Sequence, residues 1–213
     1  CLKCFDENDP LRCLIGWEGF FMPRKPRQES PSGVYHFMTR GVNKKRLFHS
    51  RKDYEFYLSL IGEYSQKLSM QIYHYCLMTN HVHILLKSED FSALSWFSYF
   101  IQRRYAYYYC KTHQWSEQVF RRNFVSVPIS EDSHLLECGR YIERNPTVAK
   151  IEKEPGRYPY TSYAFYAFGR KDSLITESPL YETLGNSISD RRAAYQFYVI
   201  HNRPQLVADY SVS

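Results

Sequence analysis

The sequence predicts an α+β fold of the split β-α-β, ferredoxin-like plan: an antiparallel sheet with two helices on one face, followed by an extra helix. Three observations predict it. Strand-like and helix-like periods alternate along the chain in the order β-α-β-β-α-β, and a further helical stretch follows. Two of the strand-like runs, Gln71 to Thr79 and His81 to Lys87, are separated only by the turn-forming Asn80, which predicts an antiparallel hairpin. The chain of 213 residues is long enough for one domain with a buried core and a small appendage.

Taken in order, residues 22–33 (MPRKPRQESPSG) form a basic, proline-rich lead-in, and Val34 to Val42 is rich in β-formers and ends at a glycine before a basic loop. Arg51 to Leu68 places Tyr54, Tyr57, Leu58, Ile61 and Leu68 at helical spacing. After the hairpin, a second helix from about Ser92 to Lys111 carries Leu94, Phe97, Ile101, Tyr105 and Tyr108 on one stripe. Val119 to Ile129 reads as a strand, and Pro128 assigns it to an edge or a strand end. Ser130 is a good N-cap, with Glu131 and Asp132 in the first turn of a third helix that Pro146 is expected to close. From Gly156 the chain is aromatic and irregular, with a final helix near Asp190 to Ile200.

Composition narrows the class. The apolar fraction of 44% fits a globular protein, and no apolar run reaches the roughly 18–20 residues that span a bilayer. A net charge of +6 and a pI near 8.9 favour a polyanionic partner, nucleic acid before membrane. Cys1 and Cys4 form a C-x-x-C with only Cys13 nearby, one ligand short of a structural zinc site. Cys76, Cys110 and Cys138 sit singly in apolar surroundings, as core fillers in a reducing, cytoplasmic setting. Residues 1–21 differ in character from the rest, and Met22 reads as a natural start, so they are expected to be an extension outside the fold.

The chemistry begins at Met78 to Leu86, MTNHVHILL. Residues two apart in a strand share a face, so His81 and His83 project together. Two neutral imidazoles can hold one divalent ion, although the same pattern also serves two hydrogen-bonded surface histidines. On the third helix, Leu135, Cys138 and Ile142 fill a core stripe, while Tyr141 and Asn145 share the adjacent face at i, i+4. The Asn145 carbonyl oxygen with the two imidazoles makes a mixed set suited to Mg²⁺ or Mn²⁺. Tyr141, one turn away, is either a packed aromatic or a nucleophile for a metal-polarised phosphate.

MTNHVHILL resembles the His-hydrophobic-His motif of single-tyrosine transposases of the insertion-sequence 200/605 type, and more closely their REP-associated tyrosine transposase branch. MPRKPR, YHFMTRGVNKKRLF, RYIERNP, YPYTSY, LYETLG and RRAAYQFY resemble the same branch, so the likeness covers about residues 22–200. It implies a catalytic domain over 22–170 and a C-terminal helical appendage over 171–213. It also implies that His81 and His83 are metal ligands, that Tyr141 is the nucleophile and that Asn145 is the third ligand; Glu137 and His134, about two and three turns before Asn145, are the substitutes should Asn145 turn away. The implied activity is metal-dependent nicking and joining of single-stranded hairpin DNA through a 5′-phosphotyrosine, by a monomer.

Candidate phosphate contacts are Arg24, Lys25 and Arg27 in the lead-in, Lys44, Lys45 and Arg46 in the first loop, Arg103 and Arg104 on the second helix, and Arg121 and Arg122 near the fourth strand. Tyr107 and Tyr109 are candidates for stacking on unpaired bases. A non-catalytic ferredoxin-like module that binds single strands, or a domesticated repeat-binding protein, is the competing reading. The RNP1 signature of RNA-recognition domains is not evident, and the histidine pair with the helix tyrosine argues for chemistry.

Overall fold

The computed structural model describes residues 27–121, 124–130 and 132–201. The extension 1–21, Arg24, Lys25, Arg122 and Glu131 lie outside them. The elements run β1 (Val34–Arg40), α1 (Arg51–Lys67), β2 (Gln71–Leu77), β3 (His81–Lys87), α2 (Ala93–His113), β4 (Val125–Ile129) and α3 (Asp132–Val148). Two more helices follow, α4 (Tyr163–Phe168) and α5 (Ile188–Ile200). The strands form one sheet in the order β2-β3-β1-β4, with every neighbouring pair antiparallel. This is the expected ferredoxin-like plan.

Alternation along the strands sorts the side chains between two cores. Tyr35 and Phe37 of β1 and Val82, Ile84 and Leu86 of β3 face α1 and α2, where they pack with Tyr57, Ile61, Phe97, Ile101 and Tyr105. Val34 of β1 and Leu85 of β3 face the other way, against Leu135, Cys138 and Ile142 of α3. The sheet is therefore covered on both faces, and the stripe read for the third helix is the one it buries. A bulge between Ile72 and His74 shifts the phase of β2. Ile72 and Tyr75 consequently both face α1 and α2, while Cys76 faces α3.

α3 lies close to the sheet because Gly139 meets β2: a Cβ there would come within 2.8 Å of His74 Nε2. Beside it, the buried Glu143 carboxylate accepts hydrogen bonds from three elements. His74 Nδ1 is 2.9 Å from Oε1, Ser162 Oγ donates to Oε1 at 2.6 Å, and Tyr195 Oη donates to Oε2 at 2.6 Å. Arg140, also buried, donates to the carbonyls of Tyr198 and His201 at 3.0 and 2.7 Å, and Tyr198 Oη donates to Glu137 at 2.5 Å. The YPYTSY segment closes the open edge of β2: Leu77 N–H donates to the Tyr160 carbonyl at 2.9 Å, and Tyr160 stacks on Tyr54 at 3.6 Å. Covering that edge removes a template for pairing with other chains.

Two expectations need correction. The fourth strand begins at Val125 rather than Val119; upstream of it, among the described residues, Phe120 makes an isolated bridge to Gly41. Pro146 does not close α3, which runs on to Val148. Proline removes the N–H that would reach the Ile142 carbonyl. The Asn145 side chain supplies a replacement, its Nδ2 donating to the carbonyls of Tyr141 at 2.9 Å and Ile142 at 3.3 Å.

Replacing Tyr195 with Phe strands one oxygen of a buried carboxylate, at a cost of about 1–3 kcal/mol. Urea unfolding of Tyr195→Phe is expected to show that loss; an unchanged midpoint would mean that the Glu143 cluster does not hold α5.

Candidate active site

Strand register carries the site. β1 and β3 pair so that Met38 opposes His83 and Arg40 opposes His81, which places His36, Arg40, His81 and His83 on the α3 face of the sheet. The imidazoles of His81 and His83 stand edge to face with centroids 4.9 Å apart. His36, not singled out from the sequence, stacks on His83 at 5.1 Å, and its Nε2 is 2.9 Å from His83 Nδ1. Asn80 Oδ1 lies 2.6 Å from His81 Nδ1.

α3 brings Tyr141 to this group. Its ring meets His83 edge-on at 5.7 Å and His36 edge-on at 5.8 Å. The structure thus brings together His81, His83 and Tyr141, three residues that the sequence separates by up to 60 positions. Asn145 lies one turn beyond Tyr141. Its Nδ2 is committed to its own helix, which turns Oδ1 away from those carbonyls. Glu137 does not face the histidines; it is held by Tyr198 and Arg140.

Burial sets the protonation of the histidines. Loss of water lowers the pKa of His36 from 6.5 to about 3. Burial, with the Arg40 charge adding to it, takes His81 to about 4. His83 is pushed well below its ordinary value by burial and then by its two histidine neighbours. All are neutral imidazoles near pH 7, the form that donates to a metal. Among the described residues no three His, Cys, Asp or Glu side chains form a ready metal cluster. The side-by-side neutral imidazoles of His81 and His83 are nitrogen donors whose chemistry fits a divalent cation.

The basic candidates fall into two groups. Lys44 and Arg46 are exposed on the loop after β1, which Asn80 ties to β3 by donating to the Lys44 carbonyl at 3.1 Å. Lys45 instead covers the Trp115 ring at 2.9 Å. Arg121 follows the same sheet end, its N–H donating to the Arg40 carbonyl at 2.8 Å. Arg103 and Arg104 lie on α2, in the layer across the sheet from α3. Arg104 is paired with Glu63 at 2.6 Å. Arg103 bonds Tyr99 and, with Arg27, lines a groove of about 540 Å³ between α2 and the segment before β4. Tyr107 is 58% exposed, but Tyr109 is 2% exposed and donates to the Arg46 carbonyl, so Tyr109 cannot stack on bases as expected. Arg40 is a further candidate that the sequence did not mark, because only the register sets it opposite His81.

A family model described as IS200-like transposase matches residues 30–145. Among solved structures, the chain is similar to one described as a REP-associated tyrosine transposase bound to a REP hairpin. The identity is 15% and the TM-score 0.59, with 74% of this chain and 93% of that one covered. That likeness concerns the fold. A candidate transposase from Deinococcus radiodurans is 16% identical with a TM-score of 0.39, over 57% of this chain and 96% of that one. No curated protein matches the chain. Among the described residues no helix is long and apolar enough to cross a membrane.

The depressed histidine values make stability fall with pH. Below pH 6.5 the unfolded chain takes up protons on these imidazoles that the folded protein, with values of about 3 and 4 for His36 and His81, does not. Each such proton costs up to about 1.4 kcal/mol per pH unit. With EDTA present, the urea midpoint is expected to drop between pH 6.5 and about 4, and to drop less steeply in His81→Gln. Equal slopes in the two proteins would show that His81 titrates normally.

Proposed function

The chain belongs to the IS200-like transposase family, and on that premise we propose that it nicks and rejoins single-stranded DNA at hairpins through a tyrosine nucleophile, with a divalent cation as cofactor. The observation that carries this reading is the Tyr141 ring resting edge-on against His83, on the face from which His81 also projects. Nothing in a purely binding module requires that juxtaposition.

In this reading His81, His83 and the Asn145 carbonyl oxygen hold Mg²⁺ or Mn²⁺. The cation, when bound, neutralises charge that builds on the non-bridging oxygens of the scissile phosphate. Tyr141 Oη forms a bond to phosphorus while the bond from phosphorus to the 3′ oxygen breaks. The phenolic proton passes to water, the departing oxygen gains one, and a 5′-phosphotyrosine remains. That linkage preserves a phosphodiester, so a second 3′-hydroxyl can attack it, restore the tyrosine and join two strands without ATP. Lys44, Arg46 and Arg121, at the same end of the sheet, suit the flanking phosphates. Because the histidines and Tyr141 come from one chain, a monomer has a full set of these groups. The hairpin substrate is supported by the structural relative described as bound to one.

The test incubates the full chain with a labelled hairpin-bearing single strand and Mn²⁺, followed by a denaturing gel. A covalent protein–DNA band is expected, absent in Tyr141→Phe and reduced at least about 100-fold by EDTA or His81→Ala. A band that persists in Tyr141→Phe would remove the nucleophile assignment. Binding without a band across a broad set of hairpins would favour a binding module.

A further inference from the structure

We propose that His36 and Asn80 are positioning residues that accept the Nδ1 protons of His83 and His81, so that both imidazoles present a bare Nε2 to the site. The inference rests on the reading of His81 and His83 as cation ligands and adds what makes them so.

Asn80 settles one ring by its own hydrogen bonds. Its Nδ2 donates to the Lys44 carbonyl at 3.1 Å, so the atom turned to His81 is Oδ1, 2.6 Å from Nδ1. An amide oxygen only accepts. The proton must sit on His81 Nδ1, and a neutral imidazole has no second proton for Nε2. Asn80 is held in turn at its backbone, where its carbonyl accepts from Gly41 N–H at 2.9 Å. Gly41 is needed there: a Cβ would collide with the Lys45 carbonyl oxygen.

His83 meets a partner that can play either role. His36 Nε2 lies 2.9 Å from His83 Nδ1, and one proton occupies the bond between them. If His36 donated, neutral His83 would keep its own proton on Nε2 and have no lone pair for a cation. Only the arrangement in which His83 donates and His36 accepts frees Nε2. His36 suits that task because it is 0% exposed and fixed by its place in the middle of β1, between β3 and β4. Orienting a metal-binding imidazole through its other nitrogen also raises its basicity, and loss of such a partner costs 10- to 100-fold in metal affinity.

Long-range ¹⁵N–¹H correlation spectra of the metal-free, ¹⁵N-histidine-labelled chain read the tautomers directly, with rings assigned by single His→Gln variants. Protons on Nδ1 of His81 and His83 are expected, with His36 bare at Nε2. A proton on Nε2 of His81 or His83 would overturn the proposal. Calorimetric titration with Mn²⁺ then follows: His36→Leu and Asn80→Ala are each expected to bind about 10- to 100-fold more weakly. His36→Gln, which keeps an acceptor near the Nε2 position, should recover most of that loss. Folded His36→Leu and Asn80→Ala with unchanged affinity would also overturn it; should His36→Leu not fold, the wild-type tautomers and Asn80→Ala decide. Failure of the wild type to bind Mn²⁺ would instead overturn the cation reading, and the proposal with it. The two failures are distinguishable because the tautomers are read without metal.

Discussion

The Glu143 carboxylate sits where four elements meet, and the position of everything on α3 follows from it. Its oxygens take hydrogen bonds from β2, from the start of α4 and from α5, and the residue is wholly buried. A carboxylate so placed is costly unless each acceptor is satisfied, and removing one hydrogen-bond partner of such a cluster costs about 1–3 kcal/mol. The cluster therefore acts as a geometric filter: α3 can dock with Glu143 at His74 or it cannot dock well at all. Tyr141 lies two residues earlier, so the same docking aims its ring at His83. Arg140 and Glu137 repeat the arrangement toward α5, which makes the C-terminal helix a brace for the segment that carries the tyrosine.

The histidine site depends on a second, simpler constraint, the period of two in a strand. β3 places two imidazoles on the face that α3 covers, and β1 adds His36 beside them. Burial by α3 keeps the rings neutral, which is the state a cation requires. Packing and chemistry are thus the same contact, since the helix that brings the tyrosine also removes the water that would let the histidines charge.

Much of this was legible in the sequence, and the failures have local causes. The plan of the sheet follows from hydrophobic period together with the turn at Asn80, the helix stripe of Leu135, Cys138 and Ile142 from period alone, and the shared face of His81 and His83 from strand alternation. His36 and Arg40 were invisible because a lone polar residue in a strand acquires meaning only through register. Pro146 misled because the residue before it carries an amide that bonds to the very carbonyl the proline leaves without a donor. Tyr109 was misjudged because α2 is apolar or aromatic around much of its circumference, so periodicity separates Tyr107 from Tyr109 poorly. The basic residues of α2 read as free cations, whereas Arg104 is held by Glu63, a partner 41 positions away that no local pattern reveals.

If the histidine pair and Tyr141 form one cation-centred site within a single chain, a cation bound there lies close to the Tyr141 ring. Paramagnetic broadening by Mn²⁺ in tyrosine-ring-labelled protein measures that proximity, with the Tyr141 signal assigned through Tyr141→Phe. The Tyr141 ring is expected to be among the first tyrosine signals lost at substoichiometric Mn²⁺, and the loss to vanish in His81→Ala. A Tyr141 signal that stays sharp while rings remote from His83, such as Tyr99 or Tyr107, broaden first would contradict it.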